Sequence, residues 1–450
     1  MSHAPFVQKN VAVLGAGESG EAAALLLAQE GAVVTVLDTA EANKLRRKID
    51  ALGVHDIRVI AGLAAERDAQ PYDLAVLSPG IDPAAPLVQN FLQRRIAMIG
   101  ELELAYEMCY CPIVAITGTN GKTTTTQLVA EMLNACGVKT VASGNIGPAF
   151  SAKVRESAQL DTMTLEVSSF QLERIERFRA HVAVWLNFAP DHLDRYASME
   201  EYYAAKVRIF ENQTEDDWAV VKYGDKLPTL KAKTITFSAF APGGDFELRE
   251  GTILYRGDTV LHLKDTRLRG GHNAENLMAA LGVGVAHGLE FTQMIRALCA
   301  YQPLPHRCEL VRTVGGVDWV NDSKGTNLDS VEKALLSETR PVVLIAGGKD
   351  KGFEYDSLTS LVAQKCRAAV LLGEMADRIE ALWRDRVPCL NAGRSLERAV
   401  ELAAAQAQSG DVVLFSPGTS SFDMFKNYAD RGNQFRALVQ ALPTHSTPIA

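Results

Sequence analysis

Short apolar runs rich in Val, Ile and Leu alternate with longer, helix-like segments along most of the chain. The first run, at residues 11–14, leads through a glycine-rich turn into an Ala- and Leu-rich helix, and a second run at 33–37 ends at Asp38. Continuous apolar runs are typical of parallel strands buried on both faces, and their alternation with helices predicts βαβ units. The pattern therefore places the chain in the α/β class.

The alternation falls into three blocks. The second begins with a strand at residues 112–116 and a helix from about 123 to 136, and the third follows two prolines in the P-L-P-H-R stretch at 303–307. Strands of the third block are predicted at 317–320, 342–346, 368–372 and 412–415. A chain of 450 residues exceeds what one hydrophobic core organises. We predict three domains, at residues 1–100, 101–304 and 305–450.

Composition narrows the class of protein. Hydrophobic residues make up 47% and charged residues 22%, and no apolar run approaches the roughly 18 residues of a membrane span. The opening M-S-H-A-P-F-V-Q-K-N lacks the basic and then apolar layout of a secretory signal, so we expect a cytoplasmic protein. A net charge of -8 argues against nucleic acid as a partner, and seven cysteines do not resemble a disulfide framework. We expect a monomer that acts on small molecules, with neither nucleic-acid nor membrane partners.

A phosphate-binding loop is predicted in the stretch A-I-T-G-T-N-G-K-T-T-T-T at residues 115–126. The strict pattern G-x-x-x-x-G-K-[ST] fails, because Ile116 stands where its first glycine belongs. A shortened loop survives, in which Gly118 and Gly121 precede Lys122 and a helix that begins with four threonines. Backbone N–H groups at a helix N-terminus, a lysine and a hydroxyl for Mg²⁺ are the parts of a nucleoside triphosphate site. Alone, the motif is also compatible with a glycine-rich turn before a capped helix.

The first block contains a second motif that predicts phosphate binding. Gly15, Gly17 and Gly20 follow the first strand and Asp38 ends the second, which satisfies most of a dinucleotide-binding fingerprint. The turn S-P-G-I at 78–81 follows a predicted strand on the same sheet edge, where ligands of such folds bind. This pattern leaves an NAD-dependent oxidoreductase as an alternative function.

Two side chains of the second block are candidates for holding a metal ion. Glu166 ends the strand-like run T-M-T-L-E-V and would share a sheet edge with the loop, although a surface glutamate at a strand end has the same pattern. In N-F-A-P-D-H-L-D-R-Y, Asp191, His192, Asp194 and Arg195 follow another strand, and His192 is a candidate second ligand.

Motifs from all three blocks together resemble the Mur ligase family: G-T-N-G-K-T at 118–123, S-G-N-I-G at 143–147, L-E-V-S-S-F-Q-L at 165–172, D-H-L-D-R-Y at 191–196, H-N-A-E-N at 272–276, P-H-R at 305–307 and N-D-S-K-G-T-N at 321–327. Members of this family are ATP-dependent amide ligases that build the peptide of bacterial cell-wall precursors. The resemblance implies a Rossmann-like N-terminal domain for a UDP-sugar, a central P-loop-type ATPase domain with a mostly parallel sheet, and a Rossmann-like C-terminal domain for an amino acid.

Within the family, S-P-G-I at 78–81 and S-S-F-D-M-F-K-N-Y at 420–428 resemble the members that add D-glutamate to UDP-N-acetylmuramoyl-L-alanine. The implied reaction passes through an acyl-phosphate and a tetrahedral intermediate. The resemblance leaves another amine acceptor such as L-glutamate open, as well as an ATP-binding switch without turnover, although every implied ligand is present.

The resemblance also implies a catalytic set that holds ATP and two Mg²⁺ ions. Lys122 would screen the phosphates, Thr123 and Glu166 would hold one ion, and His192 with a carbamylated Lys206, formed with CO₂, would hold the other. From its sequence position alone, Lys206 would be a solvated helix lysine. The implied ATP contacts are Gly118, Thr119, Asn120, Gly121, Lys122, Thr123 and Thr124 in the loop, Asn276 at the adenine, and Arg307 and Asp322 at the phosphates and ribose.

The other two substrates are placed by the same resemblance. The uridine and pyrophosphate pocket would use Glu18, Ser19, Asp38, Thr39, Ser78 and Gly80, with Ala40 where an arginine is common, and Asn145 would contact the muramoyl group. D-glutamate would be held by Lys324, Thr326, Lys351, Ser421 and Tyr428, with Lys349 as the alternative to Lys351.

Overall fold

The computed structural model describes residues 6–192, 195–303 and 305–443. Asp194 and the predicted domain end at residue 304 lie outside these described residues. The described chain forms three α/β units, each built around its own sheet. The predicted α/β class with mostly parallel sheets is confirmed, while the domain boundaries stay predictions.

The first unit contains a five-stranded parallel sheet. Its elements are β1 (Asn10–Leu14), α1 (Glu18–Gln29), β2 (Val33–Asp38), α2 (Ala42–Gly53), β3 (Arg58–Ala61), α3 (Leu63–Glu66), β4 (Leu74–Leu77), α4 (Pro86–Gln93) and β5 (Met98–Gly100). The strand order β3-β2-β1-β4-β5 puts the reversal of topology beside β1, which is where ligands of such sheets bind. A Cβ on Gly20 of α1 would lie 1.9 Å from the Gly15 carbonyl oxygen, so the close packing of α1 on the turn requires glycine.

The middle unit contains a nine-stranded sheet in the order β14-β13-β12-β11-β10-β9-β6-β8-β7. Its strands are β6 (Ile113–Thr117), β7 (Ala142–Gly144), β8 (Met163–Glu166), β9 (Val182–Trp185), β10 (Trp218–Lys222), β11 (Lys233–Ser238), β12 (Phe246–Arg249), β13 (Thr252–Tyr255) and β14 (Asp258–His262). Its helices are α5 (Glu101–Tyr106), α6 (Lys122–Ala135), α7 (Phe150–Lys153), α8 (Ser169–Leu172), α9 (Met199–Val207), α10 (Gly271–Ala286) and α11 (Phe291–Ala300).

The centre of this sheet is fully covered. All five residues of β6 are buried, because α6 and α10 pack on one face and α5 and α7 lie on the other. Strands β12 to β14 are antiparallel and extend the sheet at one edge. The apolar runs predicted as strands in this block are therefore the parallel centre, with the phosphate loop at its carboxyl end.

The third unit has a six-stranded sheet in the order β15-β16-β20-β17-β18-β19. Its elements are β15 (Glu309–Val314), β16 (Val317–Asn321), α12 (Leu328–Ser337), β17 (Val342–Gly347), α13 (Thr359–Lys365), β18 (Cys366–Leu372), α14 (Ala376–Trp383), β19 (Cys389–Asn391), α15 (Leu396–Gln406), β20 (Val412–Phe415) and α16 (Tyr428–Ala441). All four predicted strands are present, and two edge strands are additions to them: the three-residue β19 and the antiparallel β15. Its mixed exposure explains why it lacks an apolar run.

Two further findings concern the whole chain. All seven cysteines are free, which agrees with the predicted absence of a disulfide framework. Among the described residues, no helix combines the length and the apolar character that crossing a membrane would require.

A buried carboxylate ties the segment that follows the first unit to the middle unit. Glu103 of α5 is 1% exposed and accepts the backbone N–H groups of Glu176, Arg177 and Phe178 at 2.9, 2.7 and 3.0 Å. A carboxylate with several backbone donors is a strong, charge-assisted contact. It fixes α5 at the junction of the two units.

Replacing Glu103 with Gln is expected to lower the free energy of unfolding by about 2 kcal/mol, because an amide offers one acceptor oxygen instead of two and leaves a buried donor unsatisfied. The midpoint of urea denaturation measures this effect. Glu107→Gln is the matched control, since that carboxylate lies 3.7 Å from Arg177 near the surface. This substitution should lower the free energy of unfolding by less than about 0.5 kcal/mol. Equal midpoints for the two variants would contradict the structural role of Glu103.

Candidate active site

The phosphate-binding loop lies between β6 and α6. Gly121 adopts the left-handed conformation with φ 84°, and a Cβ there would lie 2.4 Å from Asn276 Oδ1. Conformation and space therefore both require glycine at this position. The helix begins at the next residue, Lys122, so its first N–H groups face the loop. This is the geometry of an anion-binding helix N-terminus.

Lys122 folds back over the loop. Its Nζ donates to the carbonyl oxygens of Gly118 at 2.8 Å and Thr119 at 2.9 Å. Removal from water lowers the pKa of Lys122, although the charges of Glu166 and Asp191 act in the opposite direction. The amine thus lies where phosphate oxygens would replace carbonyl oxygens as its acceptors.

Glu166 ends β8, the strand beside β6, and is 3% exposed. The alternative of a surface glutamate is therefore wrong. Its Oε1 accepts from Asn145 Nδ2 at 2.8 Å, whereas its buried Oε2 has no hydrogen-bond partner among the described residues. A buried carboxylate oxygen without a donor is the arrangement expected of a cation ligand.

Asp191 and His192 follow β9 on the same edge. His192 has a φ of 55°, and its ring lies 4.8 Å from that of Phe170. Burial lowers the pKa of His192, which favours the neutral imidazole that can bind a metal. Burial alone would raise the pKa of Asp191, but His192 and Lys351 outweigh it and the pKa is lowered.

Lys206 is buried, so the expectation of a solvated helix lysine is wrong. It is 1% exposed, and its Nζ donates to the Gly118 carbonyl oxygen at 2.9 Å and lies 4.8 Å from the centre of the Tyr202 ring. Burial, together with the charge of Lys122, lowers the pKa of Lys206 well below its ordinary value. The tertiary packing of α9 against the loop therefore favours a neutral amine.

A cavity of about 270 Å³ lies between the loop and the third unit. Most of the predicted catalytic and ATP-binding residues line it: Thr119, Asn120, Gly121, Lys122, Thr123, Thr124, Glu166, His192, Asn276, Arg307 and Asp322. Asn145, predicted to contact the muramoyl group, and Lys324 and Thr326, predicted to hold the amino acid, line it as well. Lys206 and Gly118 lie directly behind this wall, joined by the hydrogen bond described above. The cavity is thus lined by the phosphate-binding loop of the middle unit and by the basic side chains of Arg307 and Lys324.

The predicted adenine contact, Asn276, is already engaged within the protein. Its Oδ1 accepts from Thr125 Oγ1 at 3.2 Å, and its Nδ2 donates to Asn273 Oδ1 at 3.2 Å. The amide therefore joins α10 to α6 beside Gly121. A role in supporting the loop is visible, and contact with adenine stays a prediction.

The third unit supplies polar groups from the turn after β16. Asp322 accepts from Ser416 Oγ at 2.7 Å, and burial raises its pKa to about 6. The Nζ of Lys324 lies 4.0 Å from the centre of the Tyr428 ring, and burial lowers the pKa of Lys324 to about 8. Lys324 therefore loses its positive charge at a lower pH than an exposed lysine does.

Of the residues predicted to hold the amino acid, Lys324 and Thr326 line the cavity. Lys351 Nζ lies 3.5 Å from the Thr326 carbonyl oxygen and 3.7 Å from Asp191, whereas Lys349 is exposed and forms a β-bridge with Ser420. The geometry thus favours Lys351 over Lys349 as the lysine that would contact the amino acid. Ser421 is 3% exposed and lies beside this bridge.

The predicted uridine residues form a separate group at the carboxyl edge of the first sheet. Asp38 accepts the backbone N–H groups of Ala16 at 2.7 Å and Ala40 at 2.8 Å, so its carboxylate organises the glycine turn. Ser78 Oγ donates to the Gly15 carbonyl oxygen at 3.3 Å. The remaining members, Glu18, Ser19, Thr39 and Gly80, lie in the adjoining loops and at the start of α1.

Sequence reasoning missed two basic residues near these sites. Lys48 of α2 donates to the Ala16 carbonyl oxygen and lies 3.5 Å from Glu21. Arg431 of α16 is 1% exposed and donates to the carbonyl oxygens of Ser323 at 2.8 Å and Thr419 at 3.3 Å. Neither residue belongs to one of the motifs singled out in the sequence, and only the fold brings each to the edge of a sheet.

The described residues contain no cluster of three or more His, Cys, Asp or Glu side chains that would hold a metal ion. Any ion in the cavity would therefore need other oxygen ligands besides Glu166. The Thr123 hydroxyl and the phosphates of a nucleotide are ligands of the type that Mg²⁺ uses.

Comparison with known proteins places the chain in one family. Three family models match it: a Mur ligase MurD-like N-terminal domain at residues 9–100, a Mur ligase middle domain at 116–284 and a Mur ligase glutamate ligase domain at 306–418. A protein of Geotalea daltonii named UDP-N-acetylmuramoylalanine--D-glutamate ligase is 44% identical, over 96% of this chain and 98% of the relative. A protein of the same name from Geobacter metallireducens is 42% identical, over 98% of this chain and 99% of the relative.

Solved structures share the fold. UDP-N-acetylmuramate-alanine ligase from Thermotoga maritima matches with a TM-score of 0.61 at 18% identity, over 96% of this chain and 100% of that one. A pseudomurein peptide ligase type C from Methanothermus fervidus matches with a TM-score of 0.61 at 16% identity, over 96% of this chain and 99% of that one. From the matched domains and the identity to its relatives, the chain belongs to the Mur ligase family.

Proposed function

We propose that the protein is an ATP-dependent ligase that joins D-glutamate to the carboxylate of UDP-N-acetylmuramoyl-L-alanine in cell-wall precursor synthesis. The observation that supports this most directly is the cavity between two units. One wall carries the phosphate loop and Glu166, and the other carries Arg307 and Lys324. A site of this kind can hold a nucleotide and the two groups to be joined at the same time.

The residues present fit ATP with Mg²⁺. The loop offers N–H groups at the start of α6, and Glu166 Oε2 is a buried acceptor to which no described residue donates. Bound Mg²⁺ would neutralise the charge on the phosphates and on the attacking carboxylate. Thr123 and Glu166 would hold one ion, and His192 would contribute to the second.

In the first step, a substrate carboxylate attacks the terminal phosphorus of ATP, the bond from this phosphorus to the bridging oxygen breaks, and an acyl-phosphate and ADP form. Both reactants are anions, so the barrier falls only when cations screen them and hold them in line. Lys122 places its ammonium beside the loop, and Arg307 adds a guanidinium from the opposite wall. Burial excludes water that would hydrolyse the activated acyl group.

In the second step, the amine of the amino acid attacks the acyl carbon, and the tetrahedral intermediate loses phosphate. The oxyanion of this intermediate needs the same cations as the phosphates did. Lys351, Thr326 and Ser421 would hold the carboxylates of D-glutamate, and Lys324 would face the phosphate or the amino acid. The nucleotide half of the other substrate would lie at the edge of the first sheet, among Asp38, Ser78 and their neighbours. We propose a cytoplasmic location, because the proposed reaction uses ATP and a UDP-linked sugar.

Lys206 is proposed to carry a carbamate. Its neutral amine nitrogen forms a bond to the carbon of CO₂ and loses a proton, which turns a potential cation into an anionic oxygen ligand. Burial at 1% exposure and the shared Gly118 carbonyl oxygen support the neutral amine. With His192, the carbamate would hold the second Mg²⁺.

The first test of the proposed function is phosphate release from ATP and Mg²⁺ in the presence of UDP-N-acetylmuramoyl-L-alanine. We expect release with D-glutamate only, in a comparison with L-glutamate, L-lysine and no amino acid. Release with L-glutamate instead would support the same ligase mechanism but would change the amino acid that we assign to the third unit. No release with any acceptor would contradict ligase activity.

Lys206→Ala is expected to lower turnover by about 100-fold or more, because a metal ligand is lost. Small carboxylates such as acetate should restore part of it. Lys206→Arg is the matched control, because it keeps a cation that CO₂ cannot modify, and it should not be rescued. A carbamate signal from isotope-labelled bicarbonate in NMR spectra should be present in the native protein and absent from both variants. Full activity of Lys206→Ala would contradict the carbamate.

The affinity for ATP with Mg²⁺ is expected to fall as the pH rises through about 8, the pKa of Lys324. The sign follows because burial lowers this pKa, so the charged form that attracts phosphate exists below it and is lost above it. Lys324→Arg should keep its charge and abolish the fall, and Lys324→Met should bind about tenfold more weakly at neutral pH with no fall. Titrations between about pH 6.5 and about pH 9.5 measure this. If the affinity of Lys324→Met for ATP fell with pH as that of the native protein does, the pH dependence would belong to another group.

A further inference from the structure

A side chain of the phosphate-binding loop reaches across to the third unit. The Asn120 carboxamide donates through Nδ2 to Asp329 Oδ2, and its Oδ1 accepts from Ser330 Oγ at 3.0 Å. Asp329 and Ser330 both lie in the first turn of α12. One amide therefore uses its donor and its acceptor on a single helix of another unit.

The backbone of Asn120 is held rigidly on the side of the middle unit. Asn187, which follows β9, accepts from Asn120 N through Oδ1 at 2.9 Å and donates through Nδ2 to the Asn120 carbonyl oxygen at 3.0 Å. This reciprocal pair fixes the loop residue at the sheet edge. The carboxamide is presented to α12 from a fixed point.

The start of α12 is organised in the same way. Asn327 caps the helix, since its Oδ1 accepts from Ser330 N at 2.9 Å, and its Nδ2 donates to Asp191 Oδ2 at 3.1 Å. Lys324 and Thr326 directly precede this cap and line the cavity. Whatever holds the first turn of α12 on the loop therefore also holds the groups that face the phosphates.

We propose that Asn120 is a positioning residue that docks the third unit on the ATP loop and so brings the amino-acid site over the phosphates. This inference rests on the proposed function, because it assigns how the ATP and amine sites meet in one reaction. A carboxamide suits the task, since it both donates and accepts and adds no charge beside the phosphates. Alanine would lose both bonds.

The test varies the partner on α12, because Asn120 itself belongs to the ATP loop. Asp329→Ala removes the acceptor, while Asp329→Asn keeps an acceptor oxygen and loses the ion pair with Lys333, which lies 2.8 Å away. Asp377→Ala is the matched control: Asp377 lies in the first turn of α14 and accepts from Asn391 Nδ2 at 2.7 Å.

Steady-state kinetics provide the first readout. Asp329→Ala is expected to raise the KM for D-glutamate about tenfold and to raise the KM for ATP as well, because undocking also moves Lys324 away from the phosphates. Asp329→Asn should stay within about threefold of the native enzyme, and the double variant Asn120→Ala/Asp329→Ala should be no worse than Asn120→Ala alone. Additive losses in the double variant, or an Asp329→Asn enzyme as poor as Asp329→Ala, would overturn the proposal.

Small-angle X-ray scattering with a non-hydrolysable ATP analogue and Mg²⁺ provides a readout that does not depend on the amine. Asp329→Ala should be more extended than the native protein, and Asp377→Ala should scatter as the native protein does. Identical scattering from all three would overturn the docking role. Failure of the proposed function is recognised separately, because the native protein would then show no turnover with any acceptor.

Discussion

Two lysine amines converge on one carbonyl oxygen, and the rest of the active site depends on this convergence. The Gly118 carbonyl accepts from Lys122 Nζ at 2.8 Å and from Lys206 Nζ at 2.9 Å. Two charged ammonium groups this close in a poorly solvated site repel each other strongly. Burial lowers the pKa of both amines, and that of Lys206 falls well below its ordinary value, which favours a neutral amine at Lys206.

In the proposed reaction, the two amines would have different roles. Lys122 would screen the phosphates, and a neutral Lys206 would react with CO₂. Burial of Lys206 requires α9 to pack against the loop, and the Tyr202 ring on the same helix covers the amine at 4.8 Å. Packing of one short helix thus controls the charge state behind the phosphate loop.

The cavity belongs to no single unit. The middle sheet supplies the loop and Glu166 at its carboxyl edge, while the turn after β16 of the third sheet supplies Asp322 and Lys324. Parallel sheets bring the ends of different strands to one edge, and two such edges facing each other enclose a ligand from both sides. The contact of Asn120 with α12 joins these edges directly.

The sequence alone determined the α/β class, the parallel strands and the order of the motifs, because apolar runs and glycine turns are local signals that need no partner. Lys122 and Glu166 could be predicted as a pair, since strand ends of one parallel sheet share an edge. No local pattern marks Lys206, Arg431 or Lys48, because the groups that each of them contacts in space are distant along the chain. Tertiary structure also decided that the Asp38 carboxylate organises the glycine turn and that Lys351 lies 3.7 Å from Asp191, whereas Lys349 is exposed. Burial, charge state and hydrogen-bond partners depend on how separate elements pack together, and a local sequence pattern does not predict this packing.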